Sequence, residues 1–375
     1  MSAHLRASVR SGSPRPRALS LPAMHRLSLA LFTLAACPAA PADTTTATEP
    51  ASSGEGSSDA TPTTGASATT GDDVAWNIGL QLGTDRGALL SVWGPAPDEV
   101  YAVGGQLVSA TESSGVLFRF DGATWTEQPL PADTPMLHWV FGVDGELWTV
   151  GREGTALRRD GDAWVATETG AQTILWGIWG ARKDALWTVG GDGVDDPPVL
   201  LAWDGATWTP VALPPTGDSG GLFKIWGSGP DDITAVGDRG LALHFDGANW
   251  TVQPTDDLAD LISVWGRGPA EHLAVGGRAN ARVARWDGDA WTGVTLPLPG
   301  LSGVWMDPSG AATVVGTQGT IASLPAGSLE PTPQASPTLL LLHAVFGFAD
   351  GPRFAVGGSL AGAPPYVGVI VQHTP

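Results

Sequence analysis

The sequence predicts an all-β protein in which seven repeats of four short strands close into a ring. Three recurring landmarks predict it. The first is an apolar run ending in aromatic-Gly: Val92-Trp93-Gly94, Val140-Phe141-Gly142, Ile178-Trp179-Gly180, Ile225-Trp226-Gly227, Val264-Trp265-Gly266 and Val345-Phe346-Gly347, with a degenerate copy at Val304-Trp305-Met306. These aromatics stand 48, 38, 47, 39, 40 and 41 residues apart. The second is Val-Gly preceded by Ala, Thr or Val, running from Ala102-Val103-Gly104 to Ala355-Val356-Gly357. The third is Asp-Gly-x-x-Trp at Asp121/Trp125, Asp160/Trp164, Asp204/Trp208, Asp246/Trp250 and Asp287/Trp291.

Each unit reads as four strands. Strand a ends in the aromatic-Gly pair and strand b in Val-Gly. Strand c is the alternating run before Asp-Gly, as in Leu117-Phe118-Arg119-Phe120. Strand d begins near the following Trp. Short β-rich runs bounded by Gly, Pro and Asp are strand signals. Asp-Gly suits a tight hairpin turn, where φ must be positive. No segment keeps a 3.6-residue period long enough for a helix.

Residues 73–375 are 303 positions, or about 43 for each of seven units. Four-stranded units of that size are blades of a β-propeller. The seventh unit stops after a strand c, Tyr366 to Val371, with no Asp-Gly-x-x-Trp behind it. A spare strand precedes the first unit, Val74-Ala75-Trp76-Asn77-Ile78. Pairing that strand into the last blade closes the ring and removes exposed sheet edges.

The chain ahead of the repeats divides in two. Residues 1–36 hold Arg6, Arg10, Arg15, Arg17 and Arg26 and no acid. Met24-His25-Arg26 is a basic start, Leu27 to Leu34 a compact apolar run, and Ala35-Ala36 a small-residue exit. That is the plan of a signal peptide, with Met24 an alternative start. The apolar run is about half the ~20 residues a spanning helix needs. Cys37 is the only cysteine, so no intramolecular disulfide forms. Residues 37–72 are that cysteine followed by Ala, Ser, Thr, Gly and Pro, with five acids and no Lys or Arg. Such a segment lacks the apolar surface to order itself and reads as a flexible tether.

Leu34-Ala35-Ala36-Cys37 resembles the lipobox of bacterial lipoproteins. The resemblance implies a lipidated Cys37, cleavage just before it, and an address at the outer membrane or cell surface. Lipid chains on one residue, added together, anchor firmly. The repeats resemble kelch-like and BNR-like propellers, above all the Trp-Gly-repeat propeller lipoproteins of myxobacteria-like bacteria, over about 80% of the chain. Asp-Gly-Ala-Thr-Trp at 121–125 and 204–208 is also similar to the sialidase Asp-box, one residue short between Asp and Gly.

Charge excludes one class. Acidic residues outnumber basic ones 38 to 19, a net −19. Loss of the five arginines in 1–36 takes the exported chain to −24. Such a chain repels phosphate backbones, so nucleic acid is not an expected partner.

Most of the 17 tryptophans recur in register. Trp93, Trp179, Trp226, Trp265 and Trp305 end strand a; Trp76, Trp125, Trp164, Trp208, Trp250 and Trp291 belong to strand d. Periodicity assigns them to packing between blades. Trp139 and Trp176 are off register and are the two candidates to face solvent or ligand instead of core. His138 and His343 lie three residues before their strand-a aromatics, toward the channel, without metal-ligand spacing. The residues show no Gly-x-Ser-x-Gly or P-loop, and no cofactor or metal is implied.

Loop length varies most among the b–c and d–a connections, which share one face of a propeller. Binding concentrates in such loops on a rigid scaffold. The expected ligand face contains Arg152, Glu153, Asp192, Asp195, Asp196, Asp238, Arg239 and Arg278. The expected function is a membrane-anchored, monomeric, non-enzymatic scaffold binding an envelope protein or polysaccharide. A propeller hydrolase or lyase acting on glycans, and an outer-membrane assembly factor, remain as other classes.

Overall fold

Seven antiparallel sheets of four strands each follow one another around a closed ring, a seven-bladed β-propeller. The structure, a computed structural model, describes residues 75–109, 112–191 and 197–375. Cys37, the tether and Asp192, Asp195 and Asp196 lie outside the described residues. Blade 1 runs Ala88–Ala96, Glu99–Leu107, Ser113–Phe120 and Trp125–Glu127 as strands a to d. Strand a of each later blade opens at Leu137, Leu175, Leu222, Leu261, Leu301 and Leu341.

The ring closes through the N-terminal strand. Asn77–Leu82 pairs with Gly368–His373, from Asn77 opposite Gln372 to Leu82 opposite Gly368. The strand sits a few residues later than the sequence suggests, because Trp76 is used for packing ahead of it. Its ring lies 5.4 Å from that of His373, and its indole N–H donates to Gln334 Oε1 at 3.1 Å. The N-terminal segment is therefore joined to blades 6 and 7 at once.

Asp-Gly-x-x-Trp is a turn device. Asp121 Oδ1 accepts from the backbone N–H groups of Ala123 and Thr124, at 3.0 and 2.8 Å. Asp204, Asp246 and Asp287 repeat the arrangement. These hydrogen bonds hold the four carboxyls below the usual range. The Trp that follows each turn packs against the neighbouring blade. Trp208 meets Trp148 of the blade before it, ring centroids 5.8 Å apart, and Trp250 meets Trp187 at 5.6 Å. Strand-b and strand-c apolar residues fill the wedges between sheets; Trp148, Leu186, Ile233 and Phe354 are almost wholly buried. Each such side chain contributes about 1.5–3 kcal/mol of burial free energy.

The boundary between blades 4 and 5 is polar. Strand b carries Tyr101, Trp148, Trp187 or Phe354 opposite the strand-a aromatic in blades 1, 2, 3 and 7, Leu273 in blade 5, and a threonine in blades 4 and 6, Thr234 and Thr313. His272 of blade 5 takes the vacated space, fully buried, its Nδ1 2.9 Å from Thr234 Oγ1. Asp232 contacts His244 Nε2 at 2.8 Å and His272 Nε2 at 3.5 Å, and Ser228 donates to it. Burial alone would raise the Asp232 carboxyl, yet hydrogen bonds from His272, Ser228 and His244 outweigh it and hold the carboxyl well below the usual range.

Candidate functional site

Pairing of strands a and b slips by one residue at the same place in all seven blades. The extra residues are Leu90, His138, Trp176, Phe223, Ile262, Ser302 and His343. A bulge re-aims the side chain it carries. Here it sets a ring of seven dissimilar residues at the end of the channel where the d–a connections enter. His138 and Trp176 touch, ring centroids 4.3 Å apart, and Phe223 meets Trp176 edge-on at 6.0 Å. His343 Nδ1–H donates to the Leu90 carbonyl at 2.8 Å, and the Trp176 indole to that of Gly191 at 2.8 Å.

One step further along strand a, the blades place Ser91, Trp139, Gly177, Lys224, Ser263, Gly303 and Ala344. Five of these are small. The space they leave is taken by the other two. Lys224 reaches from blade 4 across Gly177 of blade 3 to Trp139 of blade 2, its Nζ 3.2 Å from the ring centroid. Lys224 is 4% exposed. Burial drives its proton affinity well below that of an ordinary lysine. His138 is depressed by burial, then by Arg152, His343 and Lys224; burial and Lys224 push His343 down to about 4.

Beyond this pair the channel holds a cavity of about 190 Å³, lined wholly by apolar residues, among them Trp93, Trp139, Phe141, Trp179, Trp226, Trp265 and Phe346. The strand-a tryptophans thus wall the axis as well as the blade boundaries.

The rim residues named from the sequence fall in two places. Arg152-Glu153-Gly154, Asp238-Arg239-Gly240 and Thr317-Gln318-Gly319 form the same tight turn in blades 2, 4 and 6, the middle residue at φ 57°, 52° and 57°. Glu153 and Arg239 are exposed at these tips. Asp238 is buried; it accepts from Ser219 and from the N–H groups of Gly220 and Gly221, fixing the d–a connection. Arg152 is half-buried and turned toward His138, with Glu153 and Tyr366 beside it. Arg239 and Arg278 meet through Asp260, which accepts from the Arg239 backbone N–H at 2.9 Å and pairs with the Arg278 guanidinium.

Next to Arg239 runs a groove of about 820 Å³ between the d–a connections on either side of blade 4, lined by Thr216–Ser219, Arg239–Leu241 and Val252–Leu258. Leu258 is 72% exposed there and Val252 43%. Its lining has charged and aliphatic groups and no aromatic ring.

The sequence places His138 and His343 toward the channel and marks Trp139 and Trp176 as off register; it does not single out Lys224. The signal was present. Aligning the seven strands a on their aromatics shows Lys where five blades have Ser, Gly or Ala.

No family model matches the sequence, and no curated protein matches it. Solved structures do. The YCF48 protein from Cyanidioschyzon merolae is 14% identical, with a TM-score of 0.59, over 80% of this chain and 99% of that one. The WD40 β-propeller domain of Doa1 is 10% identical, with a TM-score of 0.59, over 79% and 96%. At these identities the likeness is one of fold, and by that fold the chain is a β-propeller.

Proposed function

We propose that this chain is a lipid-anchored propeller of the bacterial envelope that binds a protein partner on its b–c/d–a face. The groove beside Arg239 carries the reading. It lies on the face whose connections vary in length, and it combines exposed Leu258 and Val252 with Arg239, Asp256 and Asp257. An aliphatic centre with a polar rim suits a protein surface. Polysaccharide recognition by stacking would use exposed aromatic faces, and the groove lining has none. The lipobox-like run before Cys37, the tether and the similarity to Trp-Gly-repeat propeller lipoproteins support the anchored address.

The test is capture from envelope extracts by the mature chain, with an Arg239→Glu/Leu258→Asp variant and a Lys183→Glu control on the opposite face. The expected result is one or more proteins retained by the wild type and the control but lost with the groove variant. Equal capture by all three sinks the reading. Acylation is checked separately, by mass of the N-terminal peptide and its loss in Cys37→Ser.

A further inference from the structure

The channel mouth holds a buried amine for which the fold gives no use. Lys224 is one of only two lysines in the chain. It is 96% buried, and among the described residues no carboxylate pairs with it and no acceptor takes its hydrogen bonds. Its one contact of note is the face of Trp139. Its charge is felt by His138 of blade 2 and His343 of blade 7, and Arg152 of blade 2 acts on the same His138. An acidic chain has thus gathered basic groups on its axis. A buried charge without a partner costs stability, and Met would fill the same length without that cost.

We propose that the channel mouth binds a carboxylate, with Lys224 as its counter-charge and the rings of Trp139, Trp176 and Phe223 as the wall for the ligand's apolar body. The ammonium supplies three donors in a compact head, which suits a single carboxylate. Phosphate, carrying close to two charges, would need more donors than one ammonium beside two neutral imidazoles. At this height five of the other strands carry Ser, Gly or Ala, and none of these hydrogen-bonds the lysine head among the described residues. The carboxylate comes either from a free aromatic acid or from the C-terminus of a bound protein; both present the same group to Lys224. The site is independent of the rim groove, so failure of either leaves the other standing.

Ligand binding favours charged Lys224, so binding takes up a proton and weakens as pH rises. The probe is benzoate, titrated into the mature chain and followed by tryptophan fluorescence, with benzamide as its uncharged counterpart. A tripeptide ending in Phe, with a free or an amidated C-terminus, distinguishes the two sources. The expected result is saturable binding of benzoate or the free-acid peptide. Binding falls at least tenfold in Lys224→Met, is partly restored in Lys224→Arg, and weakens as pH rises in the wild type only. Melting curves establish that each variant is folded. Equal binding of benzamide, undiminished binding by folded Lys224→Met, or no saturable response to either acid overturns the proposal.

Discussion

Trp93 of blade 1 lies on Gly142 of blade 2, so closely that a Cβ on that glycine would come within 2.2 Å of the indole. The relationship repeats. Trp179 covers Gly227, Trp226 covers Gly266 and Trp305 covers Gly347, with hypothetical Cβ contacts of 2.6, 2.6 and 3.1 Å. The Trp-Gly dyad is therefore read across blades: each indole fills the place that the next blade's glycine leaves empty. Trp265 is followed by Met306 instead of glycine at that position, and its ring turns to Phe346 at 6.0 Å.

Gly142→Ala should therefore destabilise the domain by about 1–3 kcal/mol, the usual range for overpacking a filled site. Gly268→Ala is the matched control, since nothing lies within 4 Å of its hypothetical Cβ. Its expected effect is within about 1 kcal/mol of zero. Urea unfolding of the two variants measures the difference; equal effects would remove the packing account of the dyad.

Acid should loosen the fold before its carboxylates titrate. His343 has its pKa pushed down to about 4, and His138 is held well below the ordinary imidazole range, both mainly by burial. The unfolded chain takes up protons near pH 6.5, where the folded chain does not. Their contribution is intact above about pH 6.5 and is lost as pH falls toward 4, at up to roughly 1.4 kcal/mol per pH unit for each histidine. Unfolding free energies at pH 7.5 and 5 check this. His343→Gln retains a donor for the Leu90 carbonyl and should shrink the drop; an unchanged drop counts against His343 as its source.

Deleting residues 75–82 removes Trp76 and the whole closing strand. Blade 7 would then expose the edge of Gly368–His373 to solvent. The expected outcome is loss of several kcal/mol with aggregation at the open edge, seen as a lowered calorimetric transition and a growing light-scattering signal. An unchanged melting temperature would mean that the ring is held elsewhere.

Much of this was legible because sevenfold repetition marks structure. Trp93, the Val-Gly strands and the Asp121 turn each recur, and each serves packing or turn geometry. The closing strand was legible from what blade 7 lacks. Positions that break the pattern were harder. Asp232 reads as a turn former beside Asp231, because nothing local shows that Thr234 leaves a space for His272 one blade away. Lys224 reads as one residue of an apolar run. Its isolation depends on Ser91, Gly177, Ser263, Gly303 and Ala344 being small at the same height in other blades, and that is a property of the closed ring.

Residues repeated around the ring hold it together, and we propose that those breaking the symmetry on its axis, Lys224 above all, serve binding. The melting temperature of Lys224→Met at pH 7 tests it most directly. Exchanging a desolvated amine for an apolar chain of equal length should raise the melting temperature by a few degrees, corresponding to about 1–2 kcal/mol. A variant that melts below the wild type would show that Lys224 braces the fold, and would contradict the claim.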